Sequence, residues 1–240
     1  MSTHAYSARH SAHAESPSRS RSTRLLLLCG IAAPLLVVGS FLLQDLTRPN
    51  FNPLFNWVSE LSLSDQGWMM ISTLIVSGLL MLGFAAGLRR ALRGGKGALW
   101  GPILIAVCGI AMILAGVFVV DPNGAYPPGV PASRSLHGAL HDIAGPLIFT
   151  SLAAASFVLA RRFVGDPAWR GWATYSIASG RLVIVFFIAA SVLVALHFTG
   201  VYPGAPSGLM ERLALLSGFA WIMRLALRLR RHIPPVETAR

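Results

Sequence analysis

Negative charge is scarce in this chain: nine Asp and Glu residues stand against 20 Lys and Arg among 240 residues, and only 12% of the sequence is charged. Soluble domains carry about twice that share, so an ordinary water-facing surface is excluded. Cysteine is nearly absent as well. Cys29 and Cys108 each lie inside an apolar run, which excludes a disulfide framework and a CxxC metal knuckle. The net charge of +11 would suggest nucleic-acid binding in a soluble protein. Here the arginines fall in short clusters at the ends of apolar runs, a placement suited to anionic lipid headgroups and not to a nucleic-acid groove.

What is abundant is apolar sequence, at 54% of the chain. Crossing a hydrocarbon core of about 30 Å takes roughly 20 helical residues at 1.5 Å each. Six runs meet that requirement: Leu25 to Leu43, Trp68 to Leu88, Ala98 to Val120, Leu136 to Ala160, Ile177 to Thr199 and Gly208 to Leu229. The expected fold is all-α, a polytopic integral membrane bundle of six transmembrane helices over residues 25–229. A Ser-, Arg- and His-rich segment, residues 1–24, is expected to be a disordered basic tail, and residues 230–240 a second basic tail. Pro34 is expected to kink the first helix. Small residues such as Ser77, Gly78, Gly109 and Gly116 recur where backbones of packed membrane helices approach closely.

Orientation follows from the basic residues in alternate connections. Arg89, Arg90, Arg93 and Lys96 follow the second run, Arg161, Arg162 and Arg170 the fourth, and Arg228, Arg230 and Arg231 close the sixth. The first and third connections hold one basic residue each, Arg48 and Arg134, and the fifth holds none. Both termini are therefore expected in the cytoplasm and the protein in the cell membrane.

The remaining ionisable residues gather at the opposite face. Asp121 ends the third run, His137, His141 and Asp142 open the fourth, His197 closes the fifth, and Glu211 and Arg212 open the sixth. Glu60 lies in an aromatic-rich connection, NFNPLFNWVSELSLSDQGW, amphipathic enough to lie along the interface or tuck back between helices. His137 and His141 are four positions apart and so project from one helix face, the spacing that lets paired histidines share a metal. With His197 and Asp121 they form a candidate zinc shell carrying an acidified water, with Glu60 or Glu211 as the base and Asp142 and Arg212 standing behind the ligands. That set points to a metal-dependent hydrolase acting on a lipid or small extracytoplasmic molecule. Three alternatives stay open: a proton-coupled transporter using His141, Asp142 and Glu211; a haem protein with His141 and His197 as axial ligands; and a scaffold whose polar contacts only join helices.

An ordered series of segments carries a resemblance. SELSLSDQGW precedes the second run, VVDP closes the third, HGALHD opens the fourth, and LHFTGVYPG and GLMERL bracket the last connection. In this order the chain resembles the family of bacterial and archaeal membrane proteins grouped as domain of unknown function 998, from about Leu25 to Leu229. The resemblance implies a six-helix bundle with a polar outer face, and it implies no activity, substrate or cofactor.

Overall fold

The computed structural model describes residues 17–233, and among these every regular element is helical. Six long helices follow one another: α1 (Pro17–Thr47), α2 (Trp68–Ala91), α3 (Trp100–Val117), α4 (Leu136–Phe163), α5 (Trp172–Phe198) and α6 (Ser207–His232). The first five are long and apolar enough to cross a membrane. α6 matches them in length, but arginines crowd its last turns and Glu211 and Arg212 its first. Its middle, from Leu213 to Met223, is uncharged and largely buried, and that stretch makes it part of the bundle.

Each helix packs on its sequence neighbours, and α6 closes back on α1, so the six form a ring. α2 and α3 make the tightest seam. A Cβ on Gly78 would stand 2.5 Å from the Gly109 carbonyl oxygen, so both backbones need glycine there. The connections divide into two sets at opposite ends of the ring. At one end, segments 48–67, 118–135 and 199–206 interlock: Gly208 N–H donates to Phe55 O (3.0 Å), and Asn123 Nδ2 donates to Glu60 (2.6 Å). We call this the carboxylate end. At the arginine end, Arg24 donates to the Ile233 carbonyl (3.1 Å), Arg90 to Ser22 Oγ (3.0 Å) and Arg162 to the Gly94 carbonyl (2.6 Å).

Several boundaries differ from expectation: α5 begins at Trp172 and not Ile177, and α6 runs to His232, so residues 230–232 are helix and not tail. α1 begins at Pro17, so residues 17–24 continue the helix and do not belong to a disordered tail; Ser20 and Thr23 are buried against the bundle. Once a helix is nucleated by an apolar stretch, adding residues at its end is cheap, and polar composition alone does not stop it. Residues 1–16 and 234–240, the rest of the expected tails, lie outside the described residues. α3 stops at Val117, three residues early, and a side chain from α4 takes up the carbonyls of Ala115 and Phe118 at that end.

Candidate functional site

Inside the carboxylate end lies a cavity of about 740 Å³, to which all six helices contribute. That volume falls within the ordinary range for small-molecule sites. Its deeper wall is apolar: Val37, Leu74, Met112, Ile148, Leu215 and Phe219. Its upper wall is polar, with Glu60, Asp121, Asn123, Arg134, His141, Asp142 and Glu211, interleaved with Trp57, Phe187 and Phe198.

Glu60 reaches the wall because its connection folds inward, forming a short 3-10 turn at Val58–Ser62 in which Val58, Glu60, Leu61 and Ser62 are buried. Asn56 Nδ2 donates to one carboxylate oxygen (2.7 Å) and Asn123 Nδ2 to the other (2.6 Å). Neither amide can turn around, because Asn56 Oδ1 already accepts from Asn52 N–H (2.9 Å) and Asn123 Oδ1 from Ala125 N–H (2.9 Å). Both oxygens of Glu60 are thus held as acceptors. Burial nevertheless outweighs these bonds and pushes the Glu60 carboxyl above its ordinary value. Glu211, one turn into α6, accepts from Val58 N–H (2.6 Å) and joins α6 to the same turn.

His141 is buried, and its Nδ1 lies 3.1 Å from the Ala115 carbonyl oxygen and 2.9 Å from that of Phe118. Carbonyls only accept, so Nδ1 carries the proton and Nε2 keeps the lone pair. The bond satisfies carbonyls that the end of α3 leaves without helical partners. Asp121 accepts from Ser135 N–H (2.6 Å) and Ser135 Oγ (2.7 Å), while Ser135 Oγ accepts from Gly138 N–H (3.1 Å) and caps α4. These hydrogen bonds from Ser135 hold the Asp121 carboxyl below its ordinary value.

The expected metal shell does not form. Among the described residues no three His, Cys, Asp or Glu side chains are grouped so as to hold a metal ion. His137 is exposed and sets its ring edge against Phe118 at 5.4 Å. His197 packs on Phe55 at 4.2 Å, and its Nδ1 accepts from Gly204 N–H (2.8 Å), which pins the last connection. With that nitrogen engaged and the ring outside the cavity wall, His197 serves neither zinc nor an axial haem position beside His141. Asp121 is occupied with Ser135. Arg212 is also absent from the wall: it pairs with Asp45 through two bonds (2.9 and 2.6 Å) and donates to the carbonyls of Asn56 (2.8 Å) and Gly208 (3.0 Å). Of the candidates, Glu60, Asp121, His141, Asp142 and Glu211 line one cavity; His137, His197 and Arg212 lie outside it.

Sequence reasoning passed over Asp45, Asn56, Trp57 and Asn123. For Asn56 and Glu60 the spacing of four positions was the available signal. The contact of Asn123 with Glu60 spans 63 positions and leaves no local trace.

Helices of this length and composition, arranged in a ring around an internal cavity, define a polytopic α-helical membrane protein. The chain belongs to the family described as Protein of unknown function (DUF998), whose model matches residues 31–228. No curated protein and no solved structure matches it.

Proposed function

We propose that the protein binds a small amphiphile with a cationic head in this cavity, facing the extracytoplasmic side of the cell membrane. The carrying observation is the composition of the cavity wall. Four carboxyl-bearing residues, Glu60, Asp121, Asp142 and Glu211, line it against a single permanent cation, Arg134. Arg212 acts on Glu60 from behind the wall, but its bonds go to Asp45 and to the carbonyls of Asn56 and Gly208, so it offers no hydrogen bond into the cavity. Trp57 and Phe187, whose rings stand 6.5 Å apart, add aromatic surface of the kind that attracts an ammonium group. Below them the wall is apolar and suits an alkyl chain.

The floor of Val37, Leu74, Met112 and Phe219 supports binding over proton relay, because these side chains carry no group that can take up or pass on a proton. The arginine clusters support the orientation: they favour the cytoplasmic side, which places both termini there and the carboxylate end outside.

The test is equilibrium binding of radiolabelled dodecyltrimethylammonium to protein in nanodiscs. Saturable binding at one site per chain, weakened about tenfold or more in Glu211→Gln, is expected, since a buried charge partner is worth well over 1.4 kcal/mol. Absence of saturable binding, or equal affinity for an alkyl sulfate of the same length, removes the reading.

A further inference from the structure

α4 and α5 pack closely only at their arginine-end halves. A Cβ on Gly180 of α5 would stand 2.2 Å from Ser156 Oγ of α4, and one turn-pair further along the Phe149 and Phe187 rings stack at 4.4 Å. Beyond that pair the two helices part. No residue of α5 from Ser191 to Phe198 is buried, and a Cβ on Gly145 of α4 meets nothing within 4 Å. Gly145, Pro146, Ser191 and Val194 all line the cavity, and Pro146 and Ser191 are exposed. Pro146 lies ten residues into α4, about 15 Å below its start, at the level where the two helices part.

A second observation extends the opening. A shallow groove on α5 is lined by Ile188, Ser191, Val192, Ala195, Leu196 and Thr199. The cavity stripe on the same helix, Phe187, Ser191, Val194 and Phe198, points about 100° away from it. Ser191 belongs to both. The groove is apolar apart from two hydroxyls, and it faces where lipid chains would lie.

We infer that the cavity opens laterally into the bilayer between the carboxylate-end halves of α4 and α5, and that a single-chain cationic amphiphile enters there, the length of chain beyond what the cavity's apolar wall holds lying along the α5 groove. The inference rests on the cationic-head reading above. Pro146 contributes to the opening: it lacks the N–H that would bond to the Asp142 carbonyl, so α4 is weakened at the level of the slit.

The test uses two probes on nanodisc-embedded protein: tetramethylammonium, which reaches the head site from water past residues 132–134, and hexadecyltrimethylammonium, whose chain needs the slit. Ser191→Trp fills the slit, and Gly145→Trp carries the same test on the facing helix should the first variant not yield monodisperse protein. Ile184→Trp, on the exposed arginine-end half of α5, is the control. Expected is a loss of about tenfold or more for the hexadecyl probe with no more than about twofold change for tetramethylammonium, and neither change in the control. Unchanged hexadecyl affinity in both slit variants overturns the lateral route while leaving the head site standing. Equal loss of both probes shows that the head site itself was closed and also overturns it. Failure of wild type to bind tetramethylammonium at all removes the head site, and the route with it.

Discussion

The two ends of the ring handle charge in opposite ways. At the arginine end, cations reach carbonyl oxygens and ring faces: Arg224 lies 4.6 Å over Tyr175, Arg228 lies 4.9 Å over Trp169, and Arg90 and Arg162 bond to neutral oxygens near the surface. At the carboxylate end two arginines are buried and each is held by several bonds of its own. The Arg212 and Asp45 side chains are 7% and 9% exposed, and Arg48, also buried, donates to Ser64 Oγ, Gln44 Oε1 and the carbonyls of Leu61 and Gln66. The first arrangement tolerates losing any one member; the second does not. The second arrangement fastens the connection that carries Glu60 to α1 and α6.

The contrast breaks most visibly at Arg212. Replacing it with Met leaves Asp45 buried without its partner, and truncating one side of such a pair costs about 3–5 kcal/mol. Loss of monodisperse protein or a large drop in thermal midpoint is expected, while the double variant Arg212→Met, Asp45→Leu recovers most of it. If the single variant is as stable as wild type, the pair is not the fastening described here.

Gly138 sharpens the same comparison at smaller scale. A Cβ there would stand 2.1 Å from Asp121 Oδ2, so Gly138→Ala must expel the carboxylate that holds the α4 cap. Overpacking together with a lost cap costs about 1–3 kcal/mol. In an Asp121→Ala background the added methyl finds room, so Gly138→Ala should cost much less there. Equal costs in both backgrounds would sink the assignment.

How much of this was legible beforehand follows the same divide. Helix number, the arginine end and the polar character of the other end are properties of local runs, and apolar length and basic clustering report them directly. The histidine pair misled, because spacing of four positions fixes only that His137 and His141 share a helix face. It does not say that α3 ends beside that face and claims His141 Nδ1 through Ala115 and Phe118, while His137 remains exposed. Asp45 was equally hidden, since its partner lies 167 positions away. The start of α1 was missed for a different reason: composition reports solubility of a segment, not whether an adjoining helix extends through it.

Acidity separates two carboxyls at the carboxylate end by sign. Asp121 is held below 3.8, so the stability it contributes is present above that value and is lost as pH falls through its folded value. Glu60 is held above 4.5, so its contribution is present below 4.5 and declines as pH rises through its folded value. Stability measured against pH should show a shallower acid limb in Asp121→Ala than in wild type and a shallower falling limb in Glu60→Gln, the latter only in part because Glu211, buried beside the same turn, remains. A Glu60→Gln curve that still declines above pH 4.5 as wild type does would show that burial does not govern this carboxyl.

The smallest effect belongs to the arginine end. Arg90 is exposed and donates to Ser22 Oγ, a hydroxyl equally able to bond to water. Arg90→Ala should change stability by no more than about 0.5 kcal/mol, as surface substitutions outside packed or buried networks do. In the proposed orientation its charge acts in sum with Arg89, Arg93 and Lys96, and such summed effects tolerate single losses. Neutralising all four together is the informative extreme: glycosylation-site mapping should then report a mixed or inverted topology, while detergent-purified protein keeps the carboxylate-end fastening at Arg212 and Asp45. If the fourfold variant instead unfolds as Arg212→Met does, the two ends share one network and the division between them is wrong.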